Sequence, residues 1–130
     1  MSETPLWTPS PATLAGARVT EFMQSVNARH GLALDGYSGL YAWSIEHPED
    51  FWTAVWDFGG VIAQSRGERV LADGGRMPGA RFFPDARLNF AENLLRQRGE
   101  GDALVFWGED KVRRRVSHDA LRALVSRTQQ

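Results

Sequence analysis

The chain has 130 residues, 42% of them hydrophobic and 24% charged, enough for one soluble domain with a modest core. A formal net charge of −1 supplies no global field to gather nucleic acid or an anionic membrane surface. The absence of cysteine excludes a disulfide scaffold, a thiolate metal site and a cysteine nucleophile, and Lys111 as the sole lysine excludes any mechanism that needs two.

The opening residues, MSETPLWTPSPATLAG, have neither the basic start nor the apolar core of a signal peptide. No apolar run approaches membrane-spanning length, so a cytoplasmic chain is expected. Ser10 and Pro11 suit the cap and first position of a helix. Val19, Phe22, Met23 and Val26 then recur at helical spacing, with Gly16 as a break and Gly31 as a stop.

The segment DGYSGLYAWSIEHPEDFWTAVWDF predicts two further helices. Tyr37, Leu40, Tyr41 and Ile45 are expected to line one face of the first. His47 stands before Pro48, which disfavours helical geometry there and breaks the run. Pro48 then starts the second helix, with Glu49 and Asp50 near its positive end. Phe51, Trp52, Val55, Trp56 and Phe58 give it a wide apolar face. Trp43, Trp52 and Trp56 fall in this pair, which is therefore expected to anchor the local core.

Residues 59–84 are punctuated by glycine and proline and read as an irregular connection. A short strand is expected at ERVLAD, turning at Asp73-Gly74-Gly75. The spacing fits neither a Walker loop nor a dinucleotide fingerprint. Phe82 and Phe83 make the loop too apolar to be a solvated linker and are expected to pin it to something larger. In PDARLNFAENLLRQRG, Asn89 is placed to cap a helix and Glu92 to reach back to the cap N–H. Phe90, Leu94 and Leu95 would be buried, and Gly99 would close the helix. Asn93 is not accounted for by capping; a structural role is the expectation for the run, with a polar contact to another domain as the alternative.

The period then switches. ALVFW alternates as a strand, GEDK turns, and VRRRV returns. Arg113, Arg114 and Arg115 alternate faces in a strand and cannot all address one phosphate groove; they read as a charged edge. Ser117 caps a last helix with Asp119 in its first turn and Leu121, Leu124 and Val125 on its apolar side. That helix runs to Gln130. A two-stranded hairpin is marginal alone, so this strand–strand–helix unit reads as cut off at the threshold of a larger α/β domain.

No chemistry-bearing constellation emerges from the residues themselves. His30, His47 and His118 stand alone at helix ends without metal spacing. Glu49–Asp50 and Glu109–Asp110 are adjacent carboxylates that suit a helix start and a turn rather than an acid/base dyad. There is no G-x-S-x-G elbow.

The ordered motifs LWTPSP, FMQSVNARHG, YSGLYAWSIEHPEDFWTAVWDF, MPGARFFPDARLNFAENLL and ALVFWGED nevertheless resemble the N-terminal region of the acetoacetyl-CoA synthetases (acetoacetate–CoA ligases), in the adenylate-forming acyl-CoA synthetase superfamily. YSGLYAWSIEHPEDFW and LNFAENLL also resemble the acetyl-CoA and propionyl-CoA synthetases. The resemblance implies a mainly α N-terminal region over residues 1–100, of several short amphipathic helices and an irregular loop. Residues 101–130 would begin the AMP-binding α/β domain with its first β-hairpin and helix, the domain being truncated. It implies a parent enzyme that joins acetoacetate to CoA at the expense of ATP through an acyl-adenylate, with Mg2+ assisting. The phosphate-gripping loop, the nucleotide contacts and the catalytic lysine of that family lie downstream of such a region. Lys111 sits in an expected turn and does not match that lysine. No catalytic, cofactor-binding or metal residue is therefore assigned. The chain is expected to bind no cofactor itself, to be inactive alone, to pack against the downstream adenylating domain, and to show neither nucleic-acid nor membrane partners. A related short-chain acyl-CoA synthetase and a stand-alone helical interaction module remain as alternatives. In either case much apolar surface should lack a partner in the isolated chain.

Overall fold

The computed structural model describes residues 7–109 and 111–129. Leu6 of the LWTPSP motif, Asp110 of the Glu109–Asp110 pair and the expected helix end at Gln130 lie outside the described residues. The chain divides into two compact units. Unit 1 takes the described residues up to Gly60 together with Gly67–Pro84, and unit 2 takes Val61–Arg66 together with the described residues from Asp85 onward.

Unit 1 begins with α1 (Pro11–Ala15), whose cap is Ser10 with its hydroxyl accepting from the Thr13 N–H. Gly16 ends it, as expected. Helix α2 (Arg18–His30) follows and stops at Gly31, whose φ of 64° lies in the left-handed region where a glycine has no Cβ penalty. Helix α3 (Gly36–Glu46) and helix α4 (Pro48–Gly59) share His47, which ends the first and caps the second at φ −127° and ψ 62°. This is the non-helical geometry that the following proline demands.

The core of unit 1 is Phe22 and Val26 from α2, Leu40 and Trp43 from α3, and Ala54 from α4. Val26 is fully buried at 0% exposure. Phe51, Val55 and Phe58 pack against this cluster from α4. Phe22 meets Phe51 and Phe58 edge-on at centroid distances of 5.8 and 5.2 Å, the arrangement that sets a positive ring edge on a negative face. Arg29 of α2 pairs with Asp57 of α4 across the surface of the same layer.

The buried side of α3 differs from the expected one. Leu40 faces the core, but Tyr37, Tyr41 and Ile45 are 73%, 55% and 62% exposed. The helix is apolar nearly all round, so its composition does not choose a face. Trp43, one turn from Leu40, wins the interior, its ring tilted against His30 and edge-on to Phe51.

The irregular segment of unit 1 forms β1 (Leu71–Ala72), much shorter than ERVLAD, paired antiparallel with β2 (Arg81–Phe82). Asp73 turns the chain at φ 56° and pairs with Arg81.

Unit 2 contains α5 (Phe90–Leu94), β3 (Asp102–Trp107), β4 (Arg113–Ser117) and α6 (His118–Thr128). Strands β3 and β4 form the expected antiparallel hairpin, with Leu104 opposite Val116 and Trp107 opposite Arg113. Ser117 caps α6 by accepting from the Ala120 N–H, and α6 packs on both strands. Two expectations fail here. Helix α5 ends at Leu94 instead of running to Gly99, and Phe90 and Leu94 are 71% and 63% exposed rather than buried. A five-residue helix is barely more than one turn and presents no continuous stripe. Among the described residues, every fully buried side chain belongs to unit 1. Even with α6 packed on the hairpin, Leu104, Val105, Phe106 and Trp107, which alternate between the two faces of β3, are all more than half exposed.

Candidate functional site

The polar run Asn89, Glu92, Asn93 is the place where sequence alone could not separate chemistry from architecture. Asn89 caps α5, its side-chain oxygen accepting from the Glu92 N–H at 3.2 Å. The reciprocal bond from the Asn89 N–H to the Glu92 carboxylate is not formed among the described residues, so only half of the expected capping box exists. Asn93 holds the cap residue by its carbonyl instead. Its Nδ2 donates to the Asn89 carbonyl at 3.0 Å and to the Ile62 carbonyl at 2.8 Å, while its Oδ1 accepts from the Ile62 N–H at 2.8 Å. A primary amide is suited to this task, because one planar group carries both a donor and an acceptor. The role of Asn93 is therefore structural and lies inside the chain, in a contact to a residue 31 positions earlier.

The same device occurs in unit 1. Asn27 of α2 accepts from the Leu34 N–H at 2.9 Å and donates to the Leu34 carbonyl at 3.1 Å. It holds the α2–α3 connection by both polar groups of one residue. Nothing in the sequence marked Asn27, since its partner is found only when the loop closes.

Phe82 and Phe83 also find their partners. Phe82 packs on Trp52 at 5.0 Å and Phe83 on Trp56 at 4.6 Å between centroids. The loop is pinned to α4, which explains why Trp52 and Trp56 lie on that helix but outside the five-residue core. The pairing argues against an aromatic ligand cage, because the rings occupy one another.

The titratable candidates stay apart. His30 ends α2 against Trp43, His47 is the cap between α3 and α4, and His118 opens α6. Among the described residues no three His, Cys, Asp or Glu side chains gather where a metal could sit. Lys111 lies in the exposed β3–β4 turn. Of the arginine run, Arg113 lies over the Trp107 ring at 4.7 Å and Arg115 pairs with Asp102. In the register of the hairpin they stand on one face, while Arg114 stands opposite Phe106 on the other, as alternation requires. One hollow of about 580 Å3 lies in unit 2, lined in part by Ile62, Glu92, Arg96, Arg98, Arg122 and Val125. Arg122 is half-buried and donates to the Leu95 carbonyl, closing the end of α5. These contacts hold backbone and cover rings. None sets a nucleophile beside a base, and no helix among the described residues is long and apolar enough to cross a membrane.

Comparison with known proteins identifies what this scaffold is part of. Residues 37–94 match the family model for the acetyl-coenzyme A synthetase N-terminus. Over 129 residues, 99% of the chain, it is 51% identical to an acetoacetyl-coenzyme A synthetase of Rhizobium meliloti (strain 1021), of which it spans 20%. It is 41% identical over 75 residues, 57% of the chain and 10% of the other protein, to a malonamoyl-CoA synthetase of Penicillium aethiopicum. The solved acetoacetyl-CoA synthetase from Streptomyces lividans superimposes with a TM-score of 0.80 at 37% identity, over 95% of this chain and 20% of that one. The chain thus spans about a fifth of the length of these synthetases. It belongs to the acetoacetyl-CoA synthetase family and corresponds to the N-terminal part of those proteins.

Proposed function

We propose that this chain is the N-terminal structural segment of an acetoacetate–CoA ligase. The observation that carries the reading is the similarity to acetoacetyl-CoA synthetases over nearly the whole chain, in sequence and in fold. In the reaction proposed for the intact enzyme, the acetoacetate carboxylate attacks the α-phosphorus of ATP. This releases pyrophosphate and leaves an acetoacetyl-adenylate. The CoA thiol then attacks the acyl carbon and displaces AMP. The adenylate is needed because a free carboxylate is a poor acyl donor.

The division of labour follows from what the residues offer. On this reading the described residues up to about residue 100 belong to the helical N-terminal region, and β3, β4 and α6 begin the adenylate-forming domain. The open faces of β3 are the surface that such a domain would cover, since a sheet apolar on both sides belongs inside a layered fold. The donor set does not fit Mg2+, because no three carboxylates or histidines converge among the described residues. No step is assigned to a metal, ATP or CoA on this chain, and its residues position backbone rather than substrate. The reading places the parent enzyme in the cytoplasm, without nucleic-acid or membrane partners.

The similarity to a malonamoyl-CoA synthetase supports a second reading, a ligase of the same kind for another short acid. Two experiments address them in turn. This chain replaces the matching N-terminal part of the Rhizobium meliloti synthetase, and AMP release is assayed with acetoacetate, acetate and propionate. The expected result is an active chimera that prefers acetoacetate and no AMP release by the 130-residue chain alone. A folded chimera without activity, or AMP release by the chain alone, would overturn the structural role. Substrate choice is tested on the gene's own full-length product, where equal or better turnover of acetate would overturn the acetoacetate assignment.

A further inference from the structure

Helix α3 has two apolar sides, and unit 1 buries one of them. Leu40 and Trp43 turn into the core, while Tyr37, Tyr41 and Ile45, spaced four residues apart, form a second line that is more than half exposed throughout. The Tyr37 and Tyr41 rings stack on one another at 6.2 Å between centroids, their planes 19° apart. Beside them a hollow of about 390 Å3 opens between α2, α3 and α4, with Val19, Phe22, Leu40, Phe51 and Val55 among its walls. Phe22 and Leu40 are members of the core, so the core itself reaches this surface. The neighbouring helix shows how the fold treats such a side when it has residues to place there. Helix α4 also carries rings outside the core, Trp52 and Trp56, and Phe82 and Phe83 pack on them. Among the described residues the second line of α3 has no cover of that kind. The charges at the rim are already engaged, since Arg18 pairs with Glu21 at 2.5 Å and lies over the Phe58 ring at 4.6 Å.

We propose that the outer line of α3 and the hollow beside it are a docking surface for an uncharged apolar segment of the polypeptide that makes up the rest of the intact synthetase. The inference rests on the reading of this chain as the N-terminal part of such an enzyme. A helix that is apolar nearly all round belongs in an interior, with a neighbour on each side. A contiguous apolar patch with polar groups at its rim marks an interaction surface. Because Arg18 and Glu21 neutralise one another, the rim offers a charged peptide no counter-charge. The occupant therefore fills the hollow with aliphatic or aromatic side chains, as a helix does when it lies in a groove. Tyr37 and Tyr41 suit the edge of that contact, each with a ring to cover and a hydroxyl to leave in water. The chain spans 20% of the synthetases it matches, so the bulk of the intact polypeptide is available to cover it, tethered at high effective concentration.

Nitration by tetranitromethane tests it, because Tyr37 and Tyr41 are the two tyrosines of the chain and peptide mapping by mass spectrometry reads each one. In the 130-residue chain both should react as exposed tyrosines at every protein concentration. In the gene's full-length product both should react about tenfold more slowly or slower still, since a covered ring reacts only when its contact opens. Tyr41→Lys should leave the urea midpoint of the 130-residue chain unchanged, because that side chain is exposed there. In the full-length product the same change sets a charge in an apolar contact and should restore the reactivity of Tyr37. Equal nitration rates in the two unsubstituted proteins would end the proposal, as would a Tyr37 that stays protected in full-length Tyr41→Lys. Rates in the 130-residue chain that fall as its concentration rises would give the surface to a second copy, and slow rates at every concentration would give it to the chain's own residues; either result overturns the assignment. A full-length product that releases no AMP would count against the ligase reading alone, because nitration reports coverage whatever the enzyme's activity.

Discussion

Phe83 offers a sharp test of how the irregular loop is held. Its backbone sits at φ 47°, a left-handed conformation that costs a bulky L-residue roughly 1–2 kcal/mol. Its N–H donates to the Val70 carbonyl at 2.8 Å, and its half-buried ring lies 4.6 Å from Trp56. The strain persists because the ring has somewhere to go. Half-burial of a phenylalanine is worth about 1–1.5 kcal/mol, and an aromatic pair adds about 0.5–1.5 kcal/mol. Phe83→Ala loses both terms and keeps the strain, so unit 1 should be destabilised by about 1.5–3 kcal/mol. Phe83→Gly loses the same contacts but relieves the backbone. After about 0.4–1 kcal/mol is returned to the freer unfolded chain, glycine should be the milder change by about 0.5–1 kcal/mol. Urea unfolding followed by far-UV ellipticity measures both variants. A glycine variant no more stable than the alanine variant would refute the strain argument. Losses below about 0.5 kcal/mol in both would refute the anchoring by Trp56.

Other consequences can be checked with the same material. Val26→Ala removes two methyl groups from the fully buried centre of unit 1 and should cost about 2–3 kcal/mol in urea unfolding; a loss under about 1 kcal/mol would mean the cluster is not the core. Ser117→Ala removes the cap of α6 and should cost about 0.5–2 kcal/mol. The loss should appear as faster amide exchange in the first turn of α6, and unchanged exchange there would count against the cap. The open faces of β3 should make the isolated chain bind a dye that reports exposed apolar surface. The double change Phe106→Ser and Trp107→Ser should remove most of that signal, and dye fluorescence unaffected by it would place the exposed surface elsewhere.

Local signals in the sequence were enough wherever the physics is local. Ser10, Pro11, Gly31, Pro48, Asn89 and Ser117 mark helix ends because capping and proline geometry involve only neighbouring residues. The β3–β4 hairpin follows from alternation and a turn for the same reason. The ordered motifs also carried the family resemblance, which the comparisons bear out. What the sequence did not determine are the choices that depend on residues far along the chain. Trp43 rather than Tyr37, Tyr41 and Ile45 turns inward on α3, because the shape of the space left by α2 and α4 selects among equally apolar faces. The role of Asn93 depends on Ile62 standing beside it, and that of Asn27 on Leu34 closing the loop. An amide clamp has no spacing rule, so only the folded chain reveals which backbone it holds.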